Sequence, residues 1–223
     1  MSVDGSTTSQ GSALDGRMRP NETSTLMERL RRIARRALSG VDGLYRRRFE
    51  LQPVGPILFV GRSRYRGPAR RFADGTQLQP GDIVGTLHFN NARIAALEAA
   101  TPNAIAVRFM RLLLQSLRNL AELSHEGRPF GDLSVFQGIG WWRHGESVGF
   151  ISEPFPEGGR KRFLAVHIGL LVWAFAPSVS TAIAARPEPR ISWITRETLI
   201  KRYGSGAPLK QEALDPSPGH ISG

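Results

Sequence analysis

The chain has no cysteine, which excludes disulfides, thiolate nucleophiles and Cys-ligated metals. Lysine is scarce too: Lys161, Lys201 and Lys210 are the whole complement, so the net charge of +11, from 30 basic against 19 acidic residues, is carried by arginine. Guanidinium forks suit phosphate and carboxylate partners, although arginine in place of lysine also follows from a GC-rich genome and then has no functional meaning. The five histidines, at 88, 125, 144, 167 and 220, show neither HxxxH nor HxH spacing, so no bound metal is expected. No GxSxG, Walker loop or helix-opening GxGxxG occurs, which leaves hydrolase, nucleotide-triphosphatase and dinucleotide-binding readings unsupported; no cofactor is expected. Long apolar runs are also lacking. The longest, Phe163 to Ala176, is interrupted by His167 and Gly169 and falls short of the roughly 30 Å hydrocarbon layer, so no transmembrane segment is expected. The first 23 residues lack the roughly 7–15 residue apolar core of a signal peptide, and a cytoplasmic location is the expectation.

What is present is ordinary for a globular protein: 40% hydrophobic and 22% charged residues, enough for one core in one medium domain. Met1 to Ser24 and Gly204 to Gly223 mix Gly, Ser, Pro and scattered charge without periodicity, and both are expected to stay disordered. Between the first tail and the domain, residues 25–43 read as a basic amphipathic helix. Thr25 and Glu28 have capping-box spacing, Leu26, Leu30, Ile33 and Ala37 recur at helical intervals opposite Arg29, Arg32 and Arg36, and Ser39 and Gly40 mark the stop. The stretch from Arg29 to Arg48 holds eight arginines, with Asp42 and Glu50 as the acids nearby. An apolar stripe of four residues ending in a small alanine points to a helix docked on the core through Leu26, Leu30 and Ile33. Only feeble, salt-sensitive association with anionic vesicles or duplex DNA would follow.

Beyond Leu44 the pattern turns extended. Ile57 to Val60 is an apolar run, Ala73-Asp74-Gly75 supplies a hairpin turn, and Pro80-Gly81-Asp82 supplies another before Ile83 to His88. Two helices come next, one from about Ala92 to Ala100 behind Asn91 as N-cap, and one from Pro102 to about Leu123. The second has a buried stripe of Ile105, Phe109, Leu112, Leu113, Ser116, Leu117 and Leu120. Leu133 to Trp142 and Val148 to Ser152 read as the two arms of a hairpin. Phe163 to Phe175 is read as a helix on length, against a strand-like content of Val, Ile and Phe. Arg190 to Ile194 reads as extended, with Thr195 capping a last helix to Tyr203. Strands and helices in separate blocks predict an α+β fold: short antiparallel β segments packed with two central helices, and a basic N-terminal helix.

Three constellations are candidates for chemistry. His88, Asn90 and Asn91 stand where a strand runs into a helix N-terminus, a rim suited to an anionic or polyhydroxyl ligand. Trp141 and Trp142 point to opposite faces if extended, so that one indole is open for stacking. Arg62, Arg64, Arg66, Arg70 and Arg71 surround Tyr65, and alternate positions on a strand can converge on a phosphate or carboxylate. The ligand-binding set taken from these is His88, Asn90, Asn91, Arg64 and Arg66. Each member also has a purely structural role open to it, capping for Asn91 and a charged edge strand for the arginines.

Arg64-Tyr65-Arg66-Gly67-Pro68, Asp74-Gly75-Thr76, Gly81-Asp82, Leu87-His88 and Asn90-Asn91 together resemble the YkoP-like domain family, and Arg108-Phe109, Ser116-Leu117, Leu120-Ala121 and Gly149-Phe150 fit as well. The likeness covers residues 44–203. Family members occur alone or fused to polysaccharide deacetylases and near glycosyltransferase genes. The resemblance therefore implies a non-catalytic accessory or ligand-binding domain in polysaccharide or cell-envelope metabolism. Its partner would be a polysaccharide-related small molecule or a polysaccharide-modifying enzyme, with no specific nucleic acid. The family carries no assigned catalytic residue to transfer, and the metal and acid motifs of the deacetylases are absent here. An enzyme using His88 and a basic module for membranes or nucleic acid are the competing readings.

Overall fold

The computed structural model describes residues 20–99, 102–140, 145–175 and 188–205. In chain order these are α1 (Pro20–Arg48), β1 (Gln52–Pro53), β2 (Leu58–Arg64), β3 (Arg70–Arg71), β4 (Gln77–Leu78), β5 (Ile83–Phe89) and α2 (Asn91–Ala95). There follow α3 (Pro102–Leu123), β6 (Val135–Gly140), β7 (Ile151–Pro154), α4 (Gly159–Phe175), β8 (Arg190–Thr195) and α5 (Arg196–Tyr203). The fold is α+β. Six strands form a mixed sheet in the order β1-β2-β5-β6-β8-β7, antiparallel except where α2 and α3 carry the chain from β5 across to parallel β6, and β3 with β4 makes a separate hairpin.

The core divides by sheet face. Leu58, Val60, Phe136 and Ile194 meet Leu113, Leu117 and Leu120 of α3 and Leu199 of α5 on one face. On the other, Val84, Val135 and Trp193 lie beneath Tyr65, Phe72 and Leu78 around the β3–β4 hairpin. The expected bounds of α3 hold. Its buried Ser116 bonds back to the Leu112 carbonyl at 2.8 Å and accepts from the Ile57 amide at 3.3 Å. Gly55 lets the chain pass this point, since a Cβ there would stand 2.5 Å from the Ser116 Cα. The last expectations also stand: α4 is helical, and the Thr195 hydroxyl accepts from the Thr198 amide at the start of α5.

Four expectations need correction. Residues 135–140 and 151–154 do not form a hairpin, because β8 lies between them and is the partner of both. Trp193 and Ile194 of β8 are buried on opposite faces, as suits a strand inside the sheet. The N-cap of α2 is Asn90, whose side chain accepts from the Arg93 amide at 3.2 Å; Asn91 is already the first helical residue, and α2 ends at Ala95 before a 3-10 turn. The basic helix neither starts at Thr25 nor stops at Ser39–Gly40. Pro20 to Ser24 belong to it, and it runs on through Gly40 and Gly43 to Arg48, where Glu50 at φ 48° turns the chain out. Two interior glycines cost about 1 kcal/mol each relative to alanine, offset here by packing of α1 on α4. That packing uses Ala34 and Leu38 against Leu171, Trp173 and Ala174, not Leu26, Leu30 and Ile33, which face solvent.

Candidate functional site

The residues nominated as one ligand site fall in two places. His88 sits near the end of β5 opposite Phe59, half-buried, with Asn90 and Asn91 following at the start of α2. Arg64 pairs with Ile83 at the other end of the same ladder. Five residue steps along the strand separate Ile83 from His88, about 16 Å at 3.3 Å per residue, and strand alternation puts them on opposite faces. Burial lowers the His88 imidazole from 6.5 to about 4, so it is neutral at pH 7. The Asn90 side chain is engaged in the cap.

The arginine cluster also divides. Arg62 makes a two-pronged pair with Asp132, at 2.6 and 2.7 Å, and donates to the Pro129 carbonyl. Arg70 grips Glu153 at 2.6 and 2.7 Å, lies 4.9 Å over the Trp193 ring and donates to the Tyr65 hydroxyl. The Arg70 guanidinium holds the Glu153 carboxyl below its ordinary range, as Arg62 does for Asp132. Arg64 reaches the Gly81 carbonyl at 3.3 Å, while Arg66 and Arg71 are exposed. Arg62, Arg64 and Arg70 answer to separate partners. Trp141 and Trp142 lie outside the described residues.

Much of the motif behind the family resemblance maintains the fold. The Tyr65 hydroxyl donates to the Pro68 carbonyl at 2.7 Å, and a Cβ on Gly67 would stand 2.4 Å from the Tyr65 hydroxyl oxygen. The Asp82 carboxylate accepts from the Gln79 amide at 2.7 Å. The Asp74 carboxylate accepts from the Thr76 amide at 3.0 Å and from the hydroxyls of Thr195 and Thr198, tying the β3–β4 hairpin to the N-terminus of α5. Desolvation opposes its ionisation, but these hydrogen bonds outweigh it and hold the carboxyl below the usual range. The dimple beside Asp74, about 40 Å³, has room for little more than a water.

The larger concavity lies elsewhere. A cleft of about 220 Å³ opens where α1 hands over to β1 and β2, lined by Arg48, Phe49, Glu50, Gln52, Val60, Gly61, Arg62 and Phe130. The helix exit forms its wall: the Leu51 amide returns to the Arg46 carbonyl at 3.0 Å through the left-handed Glu50, which swings Phe49 and Arg48 to the sheet edge. Gly61 lets Leu51 close over the strand, because a Cβ there would stand 2.5 Å from the Leu51 side chain. Of these lining residues only Arg62 was singled out in the sequence. Arg48 belonged to the basic run, but no local signal marks Phe49, Gln52 or Phe130, which come together from three segments.

Residues 31–203 match the model of the YkoP domain family, a span that begins within α1 and ends with α5. Comparison with curated proteins and with solved structures finds no match.

Proposed function

Because the chain belongs to the YkoP domain family, we propose that it is a non-catalytic accessory domain that binds a small anionic or polyhydroxyl group and serves polysaccharide or cell-envelope metabolism. The cleft at the α1–β1 junction carries this reading. It combines donors, Arg48, Gln52 and Arg62, and one acceptor carboxylate, Glu50, with the flat apolar walls of Phe49 and Phe130, the mixture that orients a polar ligand while covering its apolar side. Its 220 Å³ is below the roughly 300–1,000 Å³ of sites for drug-sized molecules, which favours one sugar ring or one acidic headgroup. Arg62 is set in place by Asp132, which balances its charge and fixes its remaining N–H donors; Arg48 is the exposed guanidinium that an anion would meet. His88, Asn90, Asn91, Arg64 and Arg66 do not line this cleft.

The test is amide chemical-shift mapping of the whole chain titrated with glucuronate, N-acetylglucosamine and inorganic phosphate. Shifts are expected at Gln52 and Gly61, weakened at least about tenfold in affinity by Arg48→Ala, the loss of one charge-assisted contact. Millimolar ligand that moves no resonance around the cleft would sink the proposal.

A further inference from the structure

We infer that the outer face of α1 is a docking surface for an anionic lipid bilayer, with the helix lying in the plane of the interface. Leu26, Ile33 and Leu44 recur at intervals of seven and eleven residues and so share one face, with Leu30 and Ala37 between them. All five side chains face solvent; Ile33 is 64% and Leu44 72% exposed. The side of α1 that meets α4, through Ala34 and Leu38, lies about 100° round the helix axis, so packing among the described residues leaves this stripe open. Arg29, Arg36 and Arg47 repeat the same two intervals, displaced by three residues. They therefore form an exposed guanidinium row alongside the apolar one for about 27 Å.

The pairing of the two rows selects the occupant. Aliphatic side chains add nothing against nucleic-acid phosphates, where the arginines alone would serve. A second copy would bring arginine rows to both sides of a shared apolar seam, like charge against like. An anionic bilayer takes both rows together: the aliphatic side chains enter the headgroup–acyl boundary while the guanidinium groups stay at phosphate depth on their flexible stems. The net charge of +11 adds long-range attraction to such a surface. On α4, Phe163 and Val166 are 69% and 73% exposed behind Arg160 and Arg162, the same chemistry on the helix that braces α1. No helix among the described residues is long and apolar enough to cross a membrane, and surface docking does not require it to be. The expectation of feeble association rested on a stripe that ended at Ala37; the stripe instead continues to Leu44 and is free of the core.

Co-sedimentation of the full chain with vesicles at about 0.15 M salt, near a Debye length of 8 Å, decides the matter. The chain is expected to pellet with phosphatidylcholine vesicles containing phosphatidylglycerol and to remain in solution with pure phosphatidylcholine. Ile33→Glu with Leu44→Glu should lower binding at least about tenfold, and Arg29→Gln, Arg36→Gln and Arg47→Gln together about ten- to a hundredfold. The corresponding lysine variants should retain binding, and circular dichroism confirms that each variant is folded. Equal binding to neutral vesicles, or binding untouched by both sets of variants, overturns the inference. So does a solution dimer that the glutamate variants dissociate while vesicles pellet neither form, and so does duplex DNA capture that survives those variants. None of these residues lines the cleft above, so this test and the ligand titration fail independently.

Discussion

The sheet with α3 and α5, and the α1–α4 pair, are built on different terms. In the first, each buried side chain is held by several segments: Phe136 of β6 lies against Gly85 of β5, beneath α3, with its ring where a Gly85 Cβ would be only 2.2 Å away. In the second, two helices meet through Leu38 and Ala174, helped by Arg31 at 5.8 Å over the Trp173 ring and by Arg35 donating to the Ala174 carbonyl. Most of their large apolar side chains that are described are exposed. A region that buries its apolar surface spends it on stability; one that leaves a row of it exposed beside arginines keeps it for a partner.

The sharpest way to break this contrast is a cavity in each region. Phe136→Ala should cost about 3–5 kcal/mol, as for other fully buried aromatics, read as a large fall in the urea midpoint. A loss under about 1 kcal/mol would mean that the sheet core is no tighter than the helical pair. The next effect concerns His88, on the sheet face that also carries Phe59, over whose ring Arg46 of α1 sits at 5.2 Å. Its folded pKa of about 4 lies below the unfolded 6.5, so between these values the unfolded chain binds more protons and stability falls as the pH is lowered; below about pH 4 the loss is complete. A contribution on the order of 3 kcal/mol follows. Urea titrations at pH 7, 5.5 and 4.5 should show that slope, and His88→Gln should remove most of it; an unchanged slope assigns the effect to other groups. The smallest change is expected on α1, where Ile33→Glu with Leu44→Glu should alter stability by no more than about 0.5 kcal/mol, as for exposed sites. A drop of 2 kcal/mol or more, on the scale of a buried-site substitution, would show that the stripe is part of the core after all.

Legibility followed the same division. The bounds of α3 were readable because its seven stripe residues keep one period over many turns, and Thr195 was readable because a cap acts on its own neighbours. The end of α1 was not readable. Ser39-Gly40 is a valid local stop signal, outweighed by contacts that Leu38 makes with a residue far along the chain. Nor was the fate of the arginines: Arg62 and Arg70 have partners 70 and 83 residues away, and no spacing rule reaches that far.

By itself, then, the sequence determined the α+β class, the family, the long central helix, the last strand and helix, and the concentration of arginine on the first helix. The family rests on the resemblance of its motifs; the others rest on composition and on periods that act within a few turns of backbone. The tertiary structure alone decided that β8 enters between β6 and β7, that His88 and Arg64 part to opposite ends of a ladder, and that a cleft forms at the helix exit. It alone decided, too, that the apolar row of α1 faces water. Each depends on which distant surface a side chain meets, and pairing between remote segments is set by the joint burial of the whole core rather than by any local pattern.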